Sequence, residues 1–161
     1  MVRRSVALFI GMADRILVEE ALTHSVIGAF FDVYNALGFG FLESLYVTAL
    51  ERELKGRGHR VAREFAVNIV YKGRTIGSQR LDLVVDDKLV VETKSTFDLH
   101  KVAVRQVYNY LRATNLEIGL LLHFGPEPKF YRVICPNTPL LSEASGLSGA
   151  SESLPSSESS R

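Results

Sequence analysis

A chain of 161 residues with 47% hydrophobic side chains is sized for one domain with a substantial core, and nothing in it requires a second. One cysteine, Cys135, excludes an internal disulfide and a cysteine-based zinc cluster and suits a reducing cytoplasm. The net charge of +1 excludes the global electrostatic signature of a nucleic-acid binder, and no run approaches the ~20 apolar residues of a membrane span.

The chain starts with a basic end, Met1-Val2-Arg3-Arg4, and an apolar stretch, Val6 to Ile10, in the manner of a short signal peptide. Asp14, Glu19 and Glu20 follow at once, so residues 1–17 read as a leader of uncertain order, unstructured or added, with Met12 as an alternative start. Leu22, Val26, Ala29, Phe30, Val33 and Leu37 recur every three or four residues and predict an amphipathic helix over 19–37, broken by Gly38 and Gly40. A second helix is expected from Phe41 to Lys55, stopped by Gly56-Arg57-Gly58. At about 100° per residue, its apolar arc runs through Leu42, Tyr46, Leu50 and Leu54 and carries two carboxylates, Glu43 and Glu53. Glu53, in the last turn, can reach Arg57 or Arg63 as a structural ion pair. Glu43, near the N-terminus, gains from the helix dipole and needs a partner or a metal.

Strand-like runs follow at Arg60 to Phe65 and Ala66 to Tyr71, then a turn, Tyr71-Lys72-Gly73-Arg74. Ile76 to Val85 and Leu89 to Lys94 form a hairpin around Asp86-Asp87-Lys88. A three-residue loop pairs Val85 with Leu89 and sets Asp82 opposite Glu92, while Glu92 and Lys94 share one face and Thr93 takes the other. Two carboxylates at roughly 5 Å Cβ spacing repel unless something positive lies between them. Hard oxygen donors in this number suit Mg²⁺ or Mn²⁺, with Lys94 beside the ion to hold a water or a phosphate oxygen. A solvated hairpin face would carry the same residues.

A further helix is expected over 98–113, with Gln106 and Tyr110 one turn apart at the border of an arc of Ala103, Val107 and Leu111. That border can bond a phosphate, a base edge or a carboxylate, or simply be core; Arg105, Asn109 and Arg112 fall on the opposite face, which reads first as solvated and alternatively, for Arg105 and Arg112 with Lys101 nearby, as a contact to a nucleic-acid backbone. Leu116 to Phe124 and Phe130 to Ile134 read as strands, and Cys135 as a buried, inert thiol. Residues 137–161 read as a disordered Ser-rich tail, since the last twenty contain nine serines and too few large side chains to fold. The element order implies an α/β domain over 18–136, a central mixed β-sheet flanked by helices.

Gly40-x-x-Glu43-x-x-Tyr46, Asp82, Glu92-Thr93-Lys94 and Gln106-x-x-x-Tyr110 occur in that order, and together they resemble the GxxExxY proteins, a family within the PD-(D/E)XK nuclease-like superfamily. The resemblance spans about residues 20–135. The Gln-x-x-x-Tyr element is similar to that of RecB-type nucleases. The chain departs from the family at Phe39, often proline there, at Tyr34, often histidine, and at Thr93, usually aliphatic.

The resemblance implies a restriction-endonuclease-like core, with Glu43 as the helix-borne acid and Asp82 and Glu92 as metal ligands joined by the backbone carbonyl of Thr93. It implies Lys94 positioning the attacking water, and Gln106 and Tyr110 supporting the site or the nucleic acid. Thr93 is expected to contribute main chain only. The expected activity is Mg²⁺-dependent (or Mn²⁺-dependent) phosphodiester hydrolysis on DNA in the cytoplasm, with the oligomeric state open, a homodimer included. The alternatives are a catalytically weak or inactive nucleic-acid- or protein-binding module, and an oligomeric scaffold in which Glu43 lies far from Asp82.

Overall fold

In the computed structural model, which describes the backbone of residues 3–136 and the side chains of 19–136, the elements are α1 (Arg3–Leu37), α2 (Glu43–Gly56), β1 (Val61–Tyr71), β2 (Arg74–Val85), β3 (Leu89–Lys94), α3 (Val102–Thr114), β4 (Ile118–Phe124) and β5 (Pro128–Ile134). The expected tail, 137–161, lies outside the described residues. Helix α1 extends back to Arg3, so its backbone includes most of the stretch read from sequence as a leader. Among the described residues no helix is long and apolar enough to cross a membrane.

The five strands lie in the order β1-β2-β3-β4-β5. All neighbours are antiparallel except β3 and β4, which run parallel from Leu89↔Ile118 to Lys94↔His123 and are joined by the α3 crossover. Segments 60–65 and 66–71 merge into one strand, which pairs with β2 from Val61↔Val85 to Tyr71↔Arg74 with a register shift between Ile69 and Val70. Its turn, Lys72 at φ 48° and Gly73 at φ 75°, has both central residues at positive φ, the condition for a two-residue hairpin connection that follows the strand twist.

Alternation along the strands builds two cores. Leu83, Val91, Leu120 and Phe124 pack under α1 and α2 with Val26, Phe30, Tyr46 and Leu50. Val84, Val90, Leu121 and Val133 pack under α3 with Ala103, Val107, Tyr110 and Leu111. Strand β4 is buried along its whole length because helices cover both faces. At Gly119 an added Cβ would fall 2.5 Å from a methyl of Val107, so the missing side chain is what lets α3 settle directly on β4.

Several boundaries differ from the sequence expectation for local reasons. Leu42 is extended (φ −62°, ψ 142°) and 75% exposed, so it precedes α2 rather than joining its buried stripe of Tyr46, Val47, Leu50 and Leu54. Helix α3 begins at Val102, not 98, because the Thr96 hydroxyl donates to the Asp98 carbonyl (2.7 Å) and closes a local turn first. The result is the expected α/β architecture, a mixed five-stranded sheet flanked by helices and consistent with a restriction-endonuclease-like core. Cys135 is buried, as expected of an inert thiol.

Candidate functional site

The β2–β3 hairpin keeps its expected register, with Val85↔Leu89, Val84↔Val90 and Leu83↔Val91. The β2–β3 ladder ends there, so Asp82 and Glu92 lie one residue past its last pair, while Glu92 stays paired with Leu121 of β4. Glu92 is 4% exposed. Its Oε1 accepts a hydrogen bond from Lys94 Nζ at 2.7 Å, the contact that two same-face residues on one strand permit. Its Oε2 is buried with no hydrogen-bond partner. Burial, then the charge of Asp82, pushes the Glu92 carboxyl up to about 7 against the opposing pull of Lys94. Burial pulls the Lys94 ammonium down, but Glu92, Glu43 and Asp82 outweigh it and hold its pKa above the ordinary lysine value.

Asp82 Oδ2 accepts from both the Thr93 backbone N–H and the Thr93 hydroxyl, each at 2.7 Å. The expectation that Thr93 contributes main chain alone is therefore corrected: its side chain, fully buried, fixes the rotamer of Asp82. An Asp followed eleven positions later by a buried threonine carries no signal in sequence, because the pairing depends on how the strands separate.

Glu43 comes from the start of α2 on the other side of the sheet and reaches the same strand end, where its Oε2 accepts from the Ser95 N–H at 3.2 Å. Burial raises its carboxyl most, Lys94 opposes this, and Asp82 raises it further. That coupling is inconsistent with a scaffold in which Glu43 and Asp82 lie far apart. The Gly-x-x-Glu-x-x-Tyr spacing has a local cause. Gly40 has φ 116°, which a side chain would not tolerate, and the Tyr46 hydroxyl donates to the Gly38 carbonyl (2.6 Å) and accepts from the Phe41 N–H (3.2 Å). Tyr46 itself stacks on Phe124 at 4.1 Å between centroids. The tyrosine thus pins the loop that aims Glu43. Glu53 has the structural role expected, an ion pair with Arg57 at 3.0 Å.

Tyr110 is buried on α3, and its phenol is held above the ordinary value by burial and then by the Glu92 charge; the Gln106 amide donates to its hydroxyl oxygen and opposes the rise. The structure thus brings Glu43, Asp82, Glu92 and Lys94 into mutual electrostatic reach, with Tyr110 feeling the last three and Gln106 attached through Tyr110. Two side chains were given no role from sequence: Tyr34, noted only as a departure from the resembled family, and His123, not noted at all. Tyr34 donates to the carbonyls of Gly125 and Pro126 (3.0 and 2.9 Å) and ties the β4–β5 turn to α1. His123, paired with Lys94 in the β3–β4 ladder, is 3% exposed and uses Nε2 to donate to the Thr96 carbonyl at 2.8 Å, while its Nδ1 is buried without a partner. The one signal for it was a polar ring inside the otherwise apolar run 118–124.

Among the described residues no group of three or more His, Cys, Asp or Glu side chains is gathered closely enough to hold a metal ion. One oxygen of each hairpin carboxylate is already engaged: Lys94 donates to Glu92 Oε1, and Thr93 donates to Asp82 Oδ2. The donor chemistry nevertheless suits a hard divalent cation, because every candidate ligand is an oxygen and Glu92 Oε2 is a buried acceptor in want of a positive partner.

A family model for the PD-(D/E)XK nuclease superfamily matches residues 20–133, from within α1 to within β5. The chain belongs to the PD-(D/E)XK nuclease superfamily. That match takes in all of the strand-end residues described above. Among solved structures, one described as the crystal structure of SSO0001 is similar at 21% identity and a TM-score of 0.45, covering 58% of this chain and 50% of the other, so the PD-(D/E)XK domain here spans about half the length of that protein. No curated protein matches the chain.

Proposed function

We propose that this PD-(D/E)XK domain hydrolyses phosphodiester bonds of DNA with Mg²⁺ or Mn²⁺, as a member of the GxxExxY group. The observation that carries the reading is Glu92: a buried carboxylate with one oxygen on Lys94 and the other unpartnered, beside a second carboxylate. Structural ion pairs do not need an orphaned acceptor; a ligand position does.

In this reading Asp82, Glu92 and the Thr93 carbonyl hold the cation and Glu43 supports them from α2. Bound there, the cation supplies positive charge to polarise the scissile phosphate and to acidify water. Thr93 keeps Asp82 in one rotamer, so that carboxylate needs little reorganisation. Once Glu92 turns its charge elsewhere, the Lys94 ammonium is freed to hold the attacking water or a phosphate oxygen as negative charge develops. Tyr110, with its proton retained and Gln106 bonded to it, can donate to the carboxylates or to the substrate. The single buried cysteine suits work in the cytoplasm.

The test is cleavage of end-labelled DNA by purified protein with Mg²⁺ or Mn²⁺. Cleavage that disappears in Asp82→Ala and Lys94→Ala supports the reading; no cleavage of DNA or RNA, or cleavage that persists in both variants, refutes it. A binding module with this fold is the second reading, motivated by the lack of a gathered carboxylate cluster among the described residues. It predicts nucleic-acid or protein binding with no metal affinity that depends on Asp82 and Glu92.

A further inference from the structure

Helix α3 and the β1–β2 hairpin enclose an open cleft of about 830 Å³ that has Gln106 and Tyr110 in its wall. Tyr110 is also the residue that feels the charges of Glu92, Lys94 and Asp82, so the cleft and the candidate site share that wall. Arg105, Asn109 and Arg112, the face of α3 that periodicity alone assigns to solvent, line the cleft opposite Asn68 and Gln79 of the hairpin. No acidic residue lines it. This segregation of charge is local and is invisible in the net charge of +1.

Four arginines of the fold, Arg57, Arg60, Arg63 and Arg80, are taken up by carboxylates, whereas the two of the cleft, like Arg52, Arg74 and Arg132, have no ion pair among the described residues. Arg105 lies over the Tyr108 ring at 4.9 Å, which leaves its N–H donors free for an incoming anion. Two guanidinium groups spaced along one helix, facing amides that match base edges, form a surface for phosphates on one wall and unpaired bases on the other. The volume falls within the range of about 300–1,000 Å³ typical of closely fitted ligands. That is room for a few nucleotides of one strand, held as basic grooves hold single strands by their backbone.

We infer that the α3–hairpin cleft is the track of a single nucleic-acid strand, with Arg105 and Arg112 on its phosphates and Asn68, Gln79 and Asn109 toward its bases, leading the backbone past Tyr110 to Glu92 and Lys94. The inference rests on the nuclease reading for what happens at the end of the track, but the binding step stands apart from it.

The experiment is fluorescence anisotropy with a labelled single-stranded DNA oligonucleotide in EDTA, on the full chain, its Arg105→Ala/Arg112→Ala variant, and Arg132→Ala on β5 at the far edge of the sheet. Expected are a roughly tenfold or greater rise in Kd for the double variant at about 100 mM salt and a salt slope shallower by about 1.4, the loss of two phosphate contacts on a single strand. Arg132→Ala should bind as the parent does, and the matched duplex should bind more weakly than the single strand. Unchanged binding in the double variant, equal weakening in Arg132→Ala, or preference for duplex each overturns the inference. If the parent protein cleaves nothing with Mg²⁺ yet binds the oligonucleotide through Arg105 and Arg112, the catalytic reading fails and the cleft inference stands. Both arginines are exposed, and matched thermal melts confirm that the variants fold.

Discussion

Replacing Glu92 with glutamine keeps the shape of a buried side chain and removes its charge, so it isolates what ionisation at this position costs the fold. The carboxyl moves from an ordinary 4.5 to about 7 in the folded protein, and each pH unit is worth about 1.4 kcal/mol, so fully ionised Glu92 opposes folding by roughly 3 kcal/mol. The sign follows from proton counting. Between about pH 4.5 and 7 the unfolded chain has lost this proton and the folded chain keeps it, so stability falls as pH rises through that window and is flat in this group above it. Urea unfolding of parent and Glu92→Gln at pH 5 and pH 8 measures the difference. The variant should gain on the parent by about 2–3 kcal/mol between the two pH values, and Mg²⁺ at pH 8 should recover part of that difference for the parent alone. Parallel pH profiles for the two proteins would refute the claim that a buried carboxylate is ionised here against its environment.

Two other substitutions separate positioning from chemistry. Thr93→Val removes one of Asp82's two donors while keeping volume, and should cost about 0.5–1.5 kcal/mol of stability and reduce any metal-dependent cleavage, while Thr93→Ser should restore both; equal stability of the valine variant and the parent, read by urea unfolding, contradicts the assigned bond. Tyr46→Phe keeps the stacking on Phe124 but frees the Gly38 carbonyl and Phe41 N–H, so it should destabilise by about 1–2 kcal/mol and raise amide exchange over residues 38–43, an effect absent if the tyrosine is only core packing.

Periodicity placed the strands well because alternation and turn chemistry are local: the Asp86-Asp87-Lys88 loop set the register of β2 against β3, and with it the neighbourhood of Asp82 and Glu92. The helix starts were less accessible. Leu42 reads as part of a helical stripe, yet the positive φ of Gly40 and the Tyr46 bonds turn the chain one residue later, and neither is encoded in a hydrophobic period. The site's supporting contacts depend on elements distant in sequence. Ser95 on Glu43, the Thr93 hydroxyl on Asp82, and His123 beside Lys94 arise only when the strand ends part and α2 docks across them. The face of Arg105 and Arg112 was assigned to solvent for the same reason: helical periodicity identifies what a helix buries in its own sheet, not what a neighbouring hairpin places opposite its exposed side.

The central claim is that Glu92 and Asp82 supply oxygens to one divalent cation, and calorimetric titration with Mn²⁺ at pH 7 tests it most directly. One equivalent should bind, and the heat should vary with buffer ionisation enthalpy because a carboxyl near its midpoint at about 7 gives up its proton to the metal. Both signals should vanish in Asp82→Asn/Glu92→Gln, whereas undiminished binding in that variant, or no binding by the parent at millimolar Mn²⁺, would contradict the account.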